Sequence, residues 1–417
     1  MRTFLIFLYS FFASAIFALA KIFKGFNPRL EFQFKDRIPP RDMVQKIAHK
    51  RSQCADAVLF FCSSAGEYEQ AKPLILHYGT CAKTYILIVF HSQSGFDFAR
   101  VRNEKNDYCL APADAVWSWG SIFAAVNPRA TFVIRYELWP AFLETAAKYS
   151  KLYLVNGSAP KNASNNKIKK SLQSVLLKYF NKVFVVDENE AKNFSHNYSI
   201  TPDKIIVTGD TKYDRVMQLA QVKSLPTIIK TAQEMFSNKL ILVLGSCYKE
   251  DILLLTNAIK KSKQLLDNWH VILVPHELDE TNLNWISHHL QTEKLAFSFI
   301  DSSKPNTQVT IVDKVGLLTS IYGIANLAWV GGAIHNRVHN VLEPASYGVP
   351  LAFGPNYHTS HEAIKLVASK KADVILDPDQ FMEWWTKHSE ETQTSKHDVL
   401  KYMTSLCGAT SIILKEV

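Results

Sequence analysis

Val330–Pro355 reads VGGAIHNRVHNVLEPASYGVPLAFGP, and this stretch decides the fold. Leu327–Val330 is an apolar run that stops on Gly331-Gly332, as a buried parallel strand stops at a ligand crevice. A polar loop with His335, Arg337, His339 and Asn340 follows, then a short helical stretch from Leu342 to Tyr347 that Gly348 ends. Val349–Phe353 makes another strand, and Gly354-Pro355 turns out of it. Strand, glycines, basic loop and helix start are how α/β proteins hold a phosphate against a helix N-terminus. Asn340 and Glu343 carry two open readings. In one they form a capping box, Asn340 capping the helix and Glu343 reaching back to the Asn340 backbone N–H. In the other, Glu343 accepts hydrogen bonds from ribose hydroxyls while loop and helix dipole take a phosphate.

Outward from this stretch the text alternates between short β-rich runs and longer helical patterns. The strands expected in the first half are Val58–Cys62, Tyr85–Phe90, Thr131–Arg135, Lys151–Val155, Val183–Val186 and Ile205–Thr208, with helical patterns such as Glu67–His77, Trp139–Tyr149 and Lys167–Phe180 between them. Thr211–Leu219 reads as a helix and Lys223–Pro226 as a linker. The alternation then restarts at Leu240–Leu244, His270–Val274, Val309–Val312, Leu327–Val330, Pro350–Phe353 and Asp373–Leu376, and helices fill Met382–Val417. This pattern predicts two successive α/β domains, each a parallel sheet wrapped by helices, with a substrate cleft between them.

Length and composition agree. The chain has 417 residues, 47% hydrophobic and 20% charged, enough for two cored domains. Its net charge of +9 points to an anionic partner. No Lys/Arg run is long enough for a nucleic-acid arm; Lys167–Lys170 reads as a solvated helix face. The six cysteines form no CxxC pair, the pattern of reduced thiols, so neither disulfides nor a zinc site is expected. Thr3–Ala20 is free of charge, and Ala18-Leu19-Ala20 imitates a signal-peptidase site. The heavier positive charge follows it, at Lys21, Lys24 and Arg29, which favours an uncleaved anchor that spans or dips into the membrane and leaves the rest in the cytoplasm.

Five further motifs carry candidate chemistry. Ser64-Ala65-Gly66-Glu67 joins the first strand to its helix; Gly66 permits the turn, and Glu67 reads either as the end of a capping box from Ser64 or as a general base. Glu137 in Arg135–Pro140 is first-turn charge or, with its aromatic neighbours, a sugar-facing acid. Lys212 in Thr208–Asp214 is placed to meet an anion, Gly245-Ser246 to offer backbone N–H groups to a phosphate, and Pro275-His276-Glu277 to touch a base or sugar. There is no GxGxxG, no P-loop and no HExxH, and His335 and His339 lie in a loop rather than on a helix, so no metal is expected.

In order, these motifs resemble the 3-deoxy-D-manno-octulosonic acid (Kdo) transferases of lipopolysaccharide synthesis, which are GT-B glycosyltransferases. The pieces are Ser64–Glu67, Glu137–Pro140, Val207–Asp214, Ile321-Tyr322-Gly323, Val330–Gly332, His339-Asn340-x-Leu342-Glu343 and Phe353-Gly354-Pro355. The resemblance implies a GT-B fold of two Rossmann-like domains facing across a cleft: an anchor and basic flank over 1–35, an acceptor-binding domain over 36–218 and a CMP-sugar-binding domain over 219–417. It implies transfer of Kdo from CMP-Kdo to the glucosamine disaccharide of a lipid A precursor of the lipid IVA type. That reaction inverts the sugar carbon and uses neither metal nor cofactor. It runs at the cytoplasmic face of the inner membrane of a Gram-negative cell, with membrane lipids as partners and no nucleic acid.

By the same resemblance Glu67 is the general base, and Ser64, Gly66, Glu137 and Lys212 contact the acceptor or the donor's anionic groups. Ser246, His276, Gly331, Gly332, His339, Asn340 and Glu343 hold the donor. The chain departs from the family in four places. Arg135 stands where an acid is usual, Asn156-Gly157-Ser158 lacks the usual Arg, Pro275-His276-Glu277 replaces Pro-Arg-His, and Val341 replaces a Pro. These touch acceptor and base contacts. A GT-B enzyme using a UDP-sugar on another lipid, and a scaffold with a degenerate cleft, are the competing readings.

Overall fold

Among the described residues, strands assemble into two seven-stranded sheets, and every strand pair is parallel. The structure is a computed structural model and describes residues 2–81, 83–101, 106–158, 167–221, 225–302, 304 and 306–417. Part of the expected linker, residues 223–224, lies outside them.

The first sheet comprises β1 (Asp56–Cys62), β2 (Thr84–Phe90), β3 (Asp107–Leu110), β4 (Ala130–Ile134), β5 (Lys151–Gly157), β6 (Lys182–Val185) and β7 (Ile205–Val207), in the order β3-β2-β1-β4-β5-β6-β7. Helices cover both faces, so a central strand has no solvent side and reads as an unbroken apolar run: Ala57 through Cys62 are all fully buried. Four of its rings stack across adjacent strands. Phe60 lies 4.8 Å from Phe132, Phe132 lies 5.6 Å from Tyr153, and Tyr153 lies 6.0 Å from Phe184. Such cross-strand neighbours fix the lateral register.

The second sheet comprises β8 (Leu240–Cys247), β9 (Trp269–Pro275), β10 (Phe297–Phe299), β11 (Val309–Ile311), β12 (Leu327–Val330), β13 (Leu351–Phe353) and β14 (Ala372–Val374), in the order β10-β11-β9-β8-β12-β13-β14. The expected α/β class with two Rossmann-like sheets is what the structure shows. Two strands, β3 and β10, were absent from the expectation. Each is the outermost strand of its sheet and only four or three residues long. An edge strand of that length carries no readable alternation, and Asp107 and Tyr108 in β3 are spent on bonds to Lys50, Tyr85 and Tyr68.

In each sheet the strand order reverses once beside the strand that starts it, between β1 and β4 and between β8 and β12. Open α/β sheets bind ligands at the C-terminal edge of such a reversal, where the two loops diverge. Three non-glycine residues at these edges adopt left-handed backbone: Arg135 (φ 68) after β4, Asn156 (φ 53) in β5 and Ser246 (φ 51) in β8. The β5–β6 and β8–β9 registers slip where Asn156 and Ser246 fall. The expected strand Thr131–Arg135 stops at Ile134, because Arg135 turns out of the extended region.

Contacts divide the chain into two compact units, Met1–Arg215 with Cys407–Val417, and Val216–Leu406. The C-terminal residues join the first unit through Asp214, whose carboxylate accepts from the Gly408 and Thr410 backbone N–H groups, both at 2.7 Å. All six cysteines are free. An N-terminal helix, Arg2–Ile22, is long and apolar enough to cross a membrane.

Candidate functional site

At the reversal of the first sheet, Ser64 caps the helix Ala65–Thr80: its hydroxyl accepts from the Glu67 N–H at 3.4 Å. The Glu67 carboxylate folds back onto the Ser63 N–H. The cap expected at Ser64 is present, and it places the Glu67 carboxylate at the C-terminal edge of β1. Burial pushes the Glu67 pKa up to about 7, and nearby Glu137 adds to the rise; the Ser63 N–H, Arg135 and the Ser64 N–H pull the other way. A buried carboxylate poised near neutrality is suited to proton abstraction.

β4 supplies the opposite wall of this edge. The helix Pro140–Tyr149 begins after Glu137, so Glu137 is not first-turn charge; its carboxylate accepts from the Trp139 indole N–H at 2.7 Å. The Trp139 ring lies 4.5 Å from the ring of His91, the residue after β2. Burial, and then Arg37, lower the His91 pKa, so the ring is held towards its neutral form. Sequence reasoning missed His91, although its position immediately past a strand end was the available signal. A Cβ added at Gly66 would meet only Ser64 Oγ, at 3.9 Å, so no clash forbids a larger residue there.

Beside this group lies a buried polar knot. Asn156 Nδ2 donates to Asp210 at 3.1 Å and to Thr211 Oγ1 at 2.7 Å, and Gln70 Nε2 donates to Asp210 at 3.2 Å. Lys212 pairs with the same carboxylate at 3.2 Å. Its charge is therefore matched inside the unit, rather than offered whole to a ligand.

The reversal of the second sheet is built around Asp251, which sequence reasoning missed. Its carboxylate is fully buried and accepts from the Tyr248 N–H at 2.8 Å, the Trp329 indole at 2.9 Å and the Gly332 N–H at 3.1 Å. Burial raises its pKa, and those three bonds oppose the rise. The Gly331 N–H donates to the Gly245 carbonyl at 2.9 Å. Both glycine N–H groups are thus used internally. The glycines are needed for closeness instead. A Cβ at Gly331 would meet the Ser246 carbonyl at 2.4 Å, and one at Gly332 (φ +91) would meet the Arg337 carbonyl at 2.5 Å.

The helix within the quoted stretch runs over Leu342–Ser346. Its start is served by Asn340, whose Oδ1 accepts from the Leu342 N–H at 3.1 Å. Glu343 is gripped by side chains: Asn340 Nδ2 donates to one carboxylate oxygen and Thr319 Oγ1 to the other, both at 2.9 Å.

A set of flat rings surrounds this loop. Tyr248 lies 4.9 Å from His276, 4.9 Å from His335 and 5.7 Å from His339, and His276 lies 4.3 Å from His339. His339 Nε2 is buried with no hydrogen-bond partner, and burial, then His276 and Arg337, lower its pKa. Among the described residues no group of three or more His, Cys, Asp or Glu side chains is placed to share a metal ion.

Residues 33–215 match the family model described as 3-deoxy-D-manno-octulosonic-acid transferase (kdotransferase). Over these residues the chain is similar to the Kdo transferases. The 3-deoxy-D-manno-octulosonic acid transferase of Rickettsia prowazekii is 22% identical over 85% of this chain and 76% of its own length. That of Aquifex aeolicus is 22% identical over 79% of this chain and 82% of its own. The UDP-GlcNAc 2-epimerase of Neisseria meningitidis, solved with UDP-GlcNAc, superposes with a TM-score of 0.61 at 16% identity, over 86% of this chain and 98% of that one. This last likeness is one of fold. The family match over 33–215 holds Glu67, Glu137 and Lys212, and the likeness to the Rickettsia prowazekii protein, over 85% of the chain, extends beyond it.

Proposed function

We propose that the chain transfers Kdo from CMP-Kdo to the glucosamine disaccharide of a lipid A precursor. The observation that carries this is the buried Glu67 carboxylate at the β1/β4 reversal, with its pKa pushed up to about 7. The acceptor hydroxyl loses its proton to Glu67 as its oxygen forms a bond to the anomeric carbon of Kdo. The bond from that carbon to the CMP phosphate oxygen breaks, and CMP leaves with the electron pair. A single displacement of this kind inverts the sugar carbon. Glu67 then returns the proton to solvent.

On the donor side, Glu343 receives ribose hydroxyls while Asn340 and Thr319 hold its carboxylate in place. The ring surface of Tyr248, His276 and His339 is suited to a flat nucleotide base, and His339 Nε2 offers a polar atom to the donor. Arg337 and Lys249 supply positive charge for a donor that carries both a phosphate and a carboxylate. Transfer is proposed without a metal or cofactor, at the cytoplasmic face of the inner membrane, where the apolar helix Arg2–Ile22 holds the enzyme beside its lipid acceptor.

The test is mass spectrometry of the lipid after incubation with CMP-Kdo and a defined lipid A precursor. The expected product is heavier by one or more Kdo residues, and the Glu67→Gln variant gives almost none while still binding CMP. An unchanged lipid from the wild-type protein, with tighter binding of UDP than of CMP by calorimetry, would overturn the reading in favour of a UDP-sugar enzyme.

A further inference from the structure

The strand β4 ends in a turn that leaves a cation at the β1/β4 reversal. Ala130 through Ile134 are buried, and Arg135 then adopts left-handed backbone (φ 68), its N–H donating to the Val155 carbonyl at 2.8 Å. Such backbone is disfavoured for an arginine, whose Cβ crowds the carbonyl that follows. Continued extension would carry the side chain under one of the helical layers. The turn brings it to the surface instead: Arg135 is exposed, and so is Tyr136, at 49%.

That cation has no internal partner. Glu67 folds back onto the Ser63 N–H, and Glu137 accepts from the Trp139 indole at 2.7 Å. Among the described residues no carboxylate stands within ion-pair distance of the Arg135 guanidinium, and no acceptor takes its N–H groups. Its neighbours differ. Lys212 pairs with Asp210 at 3.2 Å, Arg215 with Glu69 at 2.7 Å, and the Arg37 guanidinium donates to the Gln33, His91 and Ala111 carbonyls. Arg135 nonetheless lies near enough to Glu67 for its charge to favour the ionised carboxylate. A planar fork of N–H donors thus stands unpaired, on strained backbone, beside the carboxylate of raised proton affinity. Such a fork matches two oxygens of a phosphate or a carboxylate, and the bond strengthens as water is excluded.

We propose that Arg135 is an anion subsite beside Glu67, taking an oxyanion that the substrate carries next to its reacting atoms. Two sources offer that chemistry: a phosphate monoester on the acceptor disaccharide, and the carboxylate of the donor sugar. The subsite rests on the proposed transfer reaction and deepens it, because it makes charge a condition of substrate choice. It also links binding to catalysis. A bound oxyanion matches the charge of Arg135, so Glu67 holds a proton more tightly with substrate in place and is the stronger base.

The test measures binding by calorimetry on the full chain in detergent, comparing wild type with Arg135→Asn and Arg135→Lys. Asparagine tolerates left-handed backbone and removes the charge, while lysine keeps the charge and loses the fork. One arm compares a lipid A precursor with the same lipid stripped of its phosphates; the other compares CMP-Kdo with CMP. In the arm that holds the source, Arg135→Asn is expected to weaken the anionic ligand by roughly 10- to 100-fold. The ligand lacking that oxyanion is expected to bind as in wild type, and Arg135→Lys to fall between. Loss confined to the lipid arm assigns the acceptor phosphate, and loss confined to the donor arm assigns the sugar carboxylate. Unchanged affinities for both anionic ligands would overturn the proposal. Equal weakening of a ligand with and without its oxyanion would overturn it too, marking a structural role. Binding is read without transfer, so a wild-type protein that binds these ligands and gives no product counts against the transferase reading and not against the subsite.

Discussion

The charge state of Glu67 sets a pH dependence that few unrelated carboxylates would produce. Its pKa stands at about 7 against an ordinary 4.5, a difference of 7 − 4.5 = 2.5. If Glu67 must be deprotonated to act, kcat/KM rises tenfold per pH unit below that value and levels off above it; at pH 6 about one tenth of the plateau remains. An unperturbed carboxylate would give a flat profile over the same range. At roughly 1.36 kcal/mol per unit, the shift also couples to folding by about 3 kcal/mol. The folded state holds this proton more tightly than the unfolded chain does. The contribution is therefore fully present below about pH 4.5 and is lost as pH rises to about 7. Substitution as Glu67→Gln removes both effects. The assay is initial-rate transfer from CMP-Kdo between pH 5.5 and 8.5 in wild type, with urea unfolding of wild type and variant at pH 5 and pH 8. A flat wild-type profile, or residual activity in Glu67→Gln that keeps the same limb, would refute the assignment of Glu67 as base. Equal stability changes in the two proteins would refute the burial argument behind it.

Other consequences follow from the second unit, proposed to hold the donor. The Asp251→Ala variant strands three donors that were satisfied by one buried carboxylate, at about 1–3 kcal/mol each; urea melts are expected to show a large loss of stability, and Asp251→Asn a smaller one with weakened CMP binding. Placing a side chain at Gly332 (φ +91) as Gly332→Ala meets the Arg337 carbonyl and is expected to abolish CMP binding in calorimetry, with backbone strain of about 1–3 kcal/mol. Thr319→Val removes the hydroxyl that holds one oxygen of Glu343, and is expected to weaken CMP by about 0.5–1.5 kcal/mol without changing the pH limb set by Glu67.

Much of the fold was open to reading because burial has a local period. Runs such as Val58–Cys62 and Leu327–Val330 are apolar throughout because helices cover both sides of a parallel sheet, and their glycines and caps sit where each strand must end. The edge strands β3 and β10 escaped notice, being three or four residues long with one side poorly enclosed. Ser64–Glu67 and Asn340–Glu343 were legible as pairs, but their partners were not. Asp251 stands 78 residues from the indole it binds, and Thr319 stands 24 residues from Glu343. No spacing rule joins residues whose meeting depends on which strands become neighbours. Similarly, Lys212 looked like a free cation until Asp210 and the Asn156 turn were brought beside it.

By itself the amino-acid sequence determined that this is a two-sheet α/β protein with an apolar N-terminal segment, and it named the candidate loops at the sheet edges. Those features are written in short stretches, through alternation, capping and the need for glycine. Tertiary structure decided the strand orders that set β4 beside β1 and β12 beside β8, and with them the surroundings of Glu67 and the Gly331–Gly332 turn. A carboxylate's proton affinity is a property of what excludes water around it. The walls around Glu67 come from β4 and its loop, some seventy residues away, so only the folded sheet could poise it near neutrality.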